Sequence, residues 1–207
     1  MESDRYLAGL GSDASVYALR ADGVLGEDEA NSGSRTYMNL GGGLDRPRAS
    51  ETDPPSFVEW TTVQLSHDVD IIGPIELQLD AACTAPDTAF IAYLQDMHED
   101  GNITNITAGY LRAGLRKVDE ARSKQAAPVL PCDIFETVPI GREVTYRIPF
   151  VPNARRFKAG HKIRLCLTAD DQNKQVPAPL EFRHASVGTS SFTVVFSSSR
   201  LLLPVAK

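Results

Sequence analysis

The chain has 207 residues, 21 of them basic and 27 acidic, for a formal charge of −6. With 42% hydrophobic and 23% charged residues it has an ordinary globular composition, which excludes a disordered or fibrous chain. One domain is expected at this length, large enough to fold without a disulfide or a metal. The acidity and the scattered Lys and Arg exclude nucleic-acid binding, which needs a clustered basic face. The densest basic cluster, Arg155, Arg156 and Lys158, reads as a solvated turn.

Residues 1–56 are rich in Gly, Ser, Asp and Pro, with Gly41-Gly42-Gly43 and Pro54-Pro55. They read as an irregular lead-in of the same domain, carrying one or two short strands. From residue 57 onward the pattern is β. Phe57-Val58-Glu59-Trp60-Thr61-Thr62-Val63 is strand-like, with Trp60 expected in the core or at a domain interface. Ile71, Ile75, Leu77, Leu79 and Ala81 alternate with Glu76, Gln78 and Asp80, which predicts a strand with one buried and one wet face. Gly73-Pro74 interrupts it at a bulge or edge. Phe90 to Met97 is evenly apolar, as in a strand covered on both faces. Alternation returns over Tyr110 to Val118, Val144 to Phe150, Ile163 to Leu167 and Phe192 to Phe196.

Turn signals separate these runs at Asp100-Gly101-Asn102, Pro139-Ile140-Gly141, Lys158-Ala159-Gly160 and Ser186-Val187-Gly188. Residues 119–139 form a long loop, polar first and then Pro-rich; such stretches are often functional or pack on a neighbour. No window has a long stripe of helical period. Many antiparallel strands with Gly- and Pro-rich turns predict an all-β sandwich or jelly roll over residues 57–207.

The chemistry-bearing patterns are sparse. No serine has glycine at both second-neighbour positions, so the strained elbow of an α/β-hydrolase nucleophile is absent. Metal spacing is poor: there is no H-E-x-x-H, no H-x-H and no local Cys/His cluster. Asp96-Met97-His98-Glu99-Asp100-Gly101 opens like a calcium loop, but its twelfth position would be Thr107 where a bidentate Glu is required. Asp170-Asp171 and Leu44-Asp45-Arg46-Pro47 read as solvated turns, and Gly41-Gly42-Gly43 lacks the Lys-Ser/Thr of a phosphate loop. Cys83, Cys132 and Cys166 are odd in number and far apart, which excludes a disulfide scaffold and a thiolate zinc site. Cys83 and Cys166 are expected to be buried. Neither a cofactor nor a metal is expected. Asn102-Ile103-Thr104 and Asn105-Ile106-Thr107 fit the glycosylation acceptor pattern, which matters only in a secreted chain. No apolar stretch reaches the roughly 18 residues of a membrane helix. The first residues are not a signal peptide, so a cytoplasmic location is expected.

Several stretches together resemble one family. They are Asp68-Val69-Asp70-Ile71-Ile72-Gly73-Pro74-Ile75, Ala85-Pro86-Asp87-Thr88-Ala89-Phe90, Asp96 to Gly101, Gly109-Tyr110-Leu111-Arg112-Ala113, Phe157 to Leu165 and Ser198 to Pro204. Their order and spacing resemble the C-terminal domain of X-Pro dipeptidyl-peptidases and the CocE/NonD serine hydrolases, over roughly residues 5 to 205. The resemblance implies a galactose-binding-like jelly roll that is not itself catalytic. It implies a partner, an N-terminal α/β-hydrolase domain carrying Ser, Asp and His, which this chain lacks. Tyr6-Leu7 with Gly9 and Gly11 resembles the link leaving that domain.

In the family the jelly roll also walls part of the substrate pocket. The matching pieces are the strand Ile75–Ala82 and the loop to Asp87-Thr88. Leu79, Asp80, Asp87 and Thr88, with Trp60, are therefore the candidate pocket or domain-interface residues. Asp80 stands where an apolar wall would be expected. The Asp171 to Pro177 stretch departs from the Phe-Pro and Asn-rich loop of relatives, so substrate class does not carry over. Asp100-Gly101 suits a hairpin with positive φ, Lys158 to His161 a turn, and Asp87 a cap accepting backbone N–H bonds.

The implied function is an accessory domain of a hydrolase of esters or X-Pro peptides, stabilising the catalytic domain and shaping its pocket. The alternative is a stand-alone β-sandwich binding a glycan or peptide, with Trp60, Tyr93 or Tyr110 exposed on a concave face. A hidden catalytic site in this chain is the third and weakest reading.

Overall fold

A computed structural model of the chain describes residues 14–27, 32–40, 50, 52–170 and 189–206. Among these residues two antiparallel sheets face one another. The larger runs in the order β2 (Leu25–Gly26), β1 (Ser15–Leu19), β12 (Ser190–Leu203), β6 (Glu76–Cys83) and β9 (Val144–Pro149), with β3 (Ser34–Asn39) also paired to β12. The facing sheet runs β4 (Phe57–Thr61), β11 (Lys162–Thr168), β7 (Ala89–Met97) and β8 (Ile103–Arg112). A separate ribbon pairs β5 (Val69–Gly73) with β10 (Asn153–Phe157). The all-β, antiparallel class expected from the sequence is the class of the structure.

Period-two alternation builds the core. Leu77, Leu79 and Ala81 of β6, Phe90, Ala92 and Leu94 of β7, and Ile163, Leu165 and Leu167 of β11 are all fully buried. Aromatic rings bridge the two sheets. Phe90 meets Tyr146 at 4.5 Å and Phe192 at 5.8 Å between ring centroids, and Trp60 meets Phe196 edge-on at 6.0 Å. Each large side chain buried there stabilises the fold by roughly 1.5–3 kcal/mol. At one margin Gly109 of β8 bridges Phe150 just past β9. A Cβ at Gly109 would lie 2.8 Å from the Pro149 carbonyl oxygen, so this close approach of two backbones requires glycine.

The structure departs from the sequence reading in several places. The lead-in carries three strands, β1 to β3, and all belong to the larger sheet. The expected wet face of residues 76–80 is largely dry: Glu76 is fully buried and Asp80 nearly so. Glu76 is held there by Arg147 of β9, whose Nε and Nη2 donate to its two carboxylate oxygens at 2.6 and 3.1 Å. Arg164 and Cys166 of β11, read as a polar face, are buried too. Arg164 donates to Glu59 and to Gln95, and Cys166 lies against both. The strand expected over Tyr110 to Val118 stops at Arg112, and Ala113–Leu115 is a 3₁₀ turn. Arg155 and Arg156 are not in a turn but on β10, each paired with an aspartate.

The Asp100-Gly101 and Lys158 to His161 turns are as expected, with Gly101 at φ +83° and Gly160 at φ +86°. All three cysteines are free, with Cys83 and Cys166 buried and Cys132 exposed. Desolvation pushes the Cys166 thiol up to about 12, so it is an inert, protonated group. The Tyr6 to Gly11 link, Gly41-Gly42-Gly43, Leu44 to Pro47, Asp171 to Pro177 and Ser186-Val187-Gly188 lie outside the described residues.

Candidate functional site

Strand directions sort the connections into two ends. The end of β6, the start of β7, the end of β8 and the start of β9 lie together, because Ala89 pairs with Arg112 and Ala81 with Val144. This loop end carries residues 84–88 and the long stretch 113–143. The opposite, turn end carries the tight turns around Gly101 and Gly160.

At the loop end Asp87 is the organising side chain. Its Oδ1 accepts the Gly114 N–H at 3.0 Å and its Oδ2 accepts Arg112 Nε at 2.7 Å. This is the cap expected from the sequence, across 27 residues of chain. The Ala113 N–H donates to the Thr88 carbonyl at 2.8 Å, and Thr88 itself is buried. Thr84 exchanges bonds with Ser191 of β12, which ties the same loop to the larger sheet.

The stretch 134–141 is then laced onto this base. Glu136 N–H donates to Gly114, Val138 N–H to Pro86 and Gly141 N–H to Cys83, each at 2.8 Å to the carbonyl. Arg116 Nη1 donates to the Glu136 carbonyl at 2.7 Å and its Nη2 pairs with the Glu136 carboxylate at 3.1 Å. Phe135 lies flat over Gly114: a Cβ there would come within 2.2 Å of the ring. The Arg112 guanidinium sits 5.2 Å from the centre of the same ring. The loop of 119–139 is therefore without strands yet fixed in place. Its outermost part is pinned by Arg147, which donates to Glu120 and to the Lys124 carbonyl.

This laced stretch presents apolar side chains to solvent: Ile134 is 41% exposed, Phe135 50% and Ile140 60%. Tyr37 of β3 and Tyr146 of β9 have hydroxyls buried without a hydrogen-bond partner. Burial pushes both phenols well above their usual range, so neither serves as a base near neutral pH. The arrangement can hold an apolar surface in place and contact a partner or ligand. Its named groups offer no activated nucleophile.

The other sequence candidates lie elsewhere. Trp60 is fully buried on β4, with its indole N–H donating to the Arg20 carbonyl at 3.1 Å. Leu79 is fully buried in the core. Neither presents surface to a partner, because each supplies core volume where the two sheets meet. Asp80 lies on the outer side of β6, its backbone N–H donating to Ser199 Oγ at 3.0 Å. Its Oδ1 is buried without a hydrogen-bond partner. Of the three rings proposed for a glycan face, Trp60 is interior, Tyr93 is half-buried and Tyr110 is exposed. Among the described residues one grouping offers metal-ligand atoms, Asp96, His98 and His161, and it lies at the turn end. Asp96 and His161 are 65 residues apart, so no short motif announces them.

A two-sheet antiparallel domain with one loop-rich end is the class that this geometry defines. The chain belongs to the family of X-Pro dipeptidyl-peptidase C-terminal non-catalytic domains, whose profile matches residues 12–185. It is 25% identical over 159 residues to proteins of Mycobacterium bovis and Mycobacterium tuberculosis named as serine esterases, covering 73% of this chain and 25% of each relative. It thus spans about a quarter of the length of the curated relatives that it matches. Among solved structures it is similar to a CocE/NonD family hydrolase of Staphylococcus aureus, with a TM-score of 0.79 at 14% identity, covering 94% of this chain and 36% of that one. It is also similar to an α-amino acid ester hydrolase, with a TM-score of 0.65 at 14% identity, covering 93% of this chain and 36% of that one. These likenesses concern the fold. The family is one of C-terminal domains described as non-catalytic.

Proposed function

We propose that this chain is the accessory β-domain of a serine hydrolase of esters or X-Pro peptides, and that its loop end docks on the α/β-hydrolase domain. In this role it stabilises the catalytic domain and forms part of the wall of its substrate pocket. The observation that carries the reading is the fixed apolar stretch of Ile134, Phe135 and Ile140. Isolated exposed apolar residues are common, but here hydrogen bonds and the Gly114 platform hold three of them outward on one short segment. Asp87 and Thr88 act by holding this segment, and Asp80, Leu79 and Trp60 shape the body behind it. The ester part of this reading is supported by the name serine esterase borne by the mycobacterial relatives, and the X-Pro part by the description of the family.

The test joins this domain to its catalytic domain in the full-length polypeptide and replaces Phe135 and Ile140 by Ser. Turnover of p-nitrophenyl esters and Xaa-Pro anilides is expected to fall at least about tenfold, which corresponds to about 1.4 kcal/mol. The variant should still unfold in one cooperative transition with a melting temperature only a few degrees lower, since Phe135 is half exposed and Ile140 more so. Unchanged turnover in the full-length double variant defeats the docking reading.

A further inference from the structure

We propose that His98 and His161, with Asp96 held behind His161 as its orienting carboxylate, form a binding site for a divalent transition-metal ion of the zinc class at the turn end of the sandwich. The site is remote from the loop end and independent of the hydrolase reading.

Asp96, at the end of β7, has a side chain only 1% exposed. Its Oδ2 accepts Arg155 Nη2 at 2.8 Å and its Oδ1 lies 2.8 Å from His161 Nδ1. An ionised carboxylate only accepts, so Nδ1 of His161 carries the hydrogen and Nε2 is left with its lone pair. A carboxylate behind an imidazole in this way is the arrangement that orients zinc-bound histidines and raises their basicity. His98 stands beside it. The two imidazole rings are tilted against one another, with centroids 4.5 Å apart and planes 36° apart.

One ligand-capable atom from each of Asp96, His98 and His161 lies within 4.8 Å of the other two. Nitrogen and oxygen ligands sit about 2.0–2.2 Å from zinc, so in a tetrahedral site they stand about 3.3 Å apart. The coordination of an ion on the free Nε2 of His161 is therefore completed by moving the His98 ring toward it, with Asp96 staying behind His161. His98 can make this movement. It is half-buried at the hairpin between β7 and β8, and its ring is bonded to the exposed Thr104 hydroxyl at 3.0 Å. A further carboxylate is near: Glu99 folds over Gly160, where a Cβ would meet its Oε1 at 1.6 Å. Arg155 neutralises one oxygen of Asp96, so the buried carboxylate is tolerated without an ion and the two imidazoles carry the affinity. That donor set favours zinc, nickel or copper over calcium and magnesium, which take oxygen ligands. A bound ion would pin the β7–β8 hairpin to the turn between β10 and β11.

The experiment strips the purified chain of metal. It then titrates Zn²⁺ by calorimetry and by melting temperature, and Co²⁺ by its visible absorption. One equivalent of Zn²⁺ is expected to bind and raise the melting temperature, Co²⁺ to give the ligand-field bands of nitrogen coordination, and Mg²⁺ and Ca²⁺ to do neither. His98→Gln, at a half-buried position that the fold does not need, should weaken Zn²⁺ at least about tenfold, the effect of losing a direct ligand. Cys132→Ser, which removes the exposed thiol, should leave the affinity unchanged. Binding no tighter than about 0.1 mM, equal affinity in His98→Gln, or loss of binding in Cys132→Ser overturns the site.

Discussion

At the turn end, connections are short and three aspartates have a basic partner on β10 or just after it. Asp70 takes both donors of Arg156 at 2.7 and 2.6 Å, Asp68 takes Lys158 at 2.8 Å, and Asp96 takes Arg155 at 2.8 Å. At the loop end, one segment of some thirty residues crosses the surface without a strand, and exposed Ile134, Phe135 and Ile140 ride on it. The turn end closes itself with charge. The loop end spends its hydrogen bonds on holding apolar side chains away from its own core. The difference teaches where this domain finishes its own fold and where it presents a surface to something else.

The largest effect should come from unpinning the loop. Arg147→Met removes the partner of fully buried Glu76 and the anchor of Glu120 and Lys124 together. Stability should fall by about 3–5 kcal/mol, because an uncompensated charge is left in the interior. Urea unfolding measures this. A loss below about 1 kcal/mol would mean that the long loop is held by its backbone bonds alone.

A pair of glycine substitutions separates the two ends more finely. Gly114→Ala drives a methyl group into the Phe135 ring, and should cost about 1–3 kcal/mol, as overpacking does. It should also quench docking on the catalytic domain by displacing Phe135. Gly160→Ala meets only the flexible Glu99 side chain but forces a Cβ into a φ of +86°, which costs about 1–2 kcal/mol. It should leave docking untouched. Equal effects of both on full-length activity would erase the distinction between the ends.

The smallest effect is acid sensitivity. Hydrogen bonds from Lys158 and the Ala159 N–H to Asp68, and from Arg156 to Asp70, hold both carboxyls below their usual 3.8. Their stabilisation is complete above the unfolded-chain value and is lost as pH falls through the lower folded values. Melting temperature should therefore decline as pH falls below about 4. High salt should shrink the share due to these solvent-exposed pairs. Arg156→Gln should flatten the slope, and an unchanged slope would assign the acid sensitivity to other carboxylates.

Alternation was enough to read the core, since Leu77, Leu79, Ile163, Leu165 and Phe192 are all buried as their spacing implies. It failed where charge is buried in pairs. Glu76 looks solvated until Arg147, 71 residues away, is laid beside it in the sheet, and no local pattern encodes that register. Arg155 and Arg156 looked like a turn for the same reason, because their aspartates lie on β7 and β5. At the site, Asp87 was legible because a cap is a local device, although its acceptor role reaches the distant Gly114. The Phe135 platform was not legible: a glycine in an apparent strand run gives no sign of the ring that covers it. Leu79 was marked as a candidate through resemblance to a family, whereas Trp60 was read from its strand-like run as a core or interface ring, and both are fully buried.

Strand β12 has a consequence for how the chain reaches this state. It pairs with β3 through residues 190–195 and with β1 through residues 200–203, shifting register in between, while Arg200 binds the carbonyls of Phe196, Ser197 and Ser199 across the shift. Ser15 thereby lies opposite Leu203. During synthesis β1, β3 and β6 emerge with no partner for the edges that β12 will occupy, and they must wait for almost the whole described chain. A domain so dependent on contacts between distant residues folds slowly, with open strand edges in the interval.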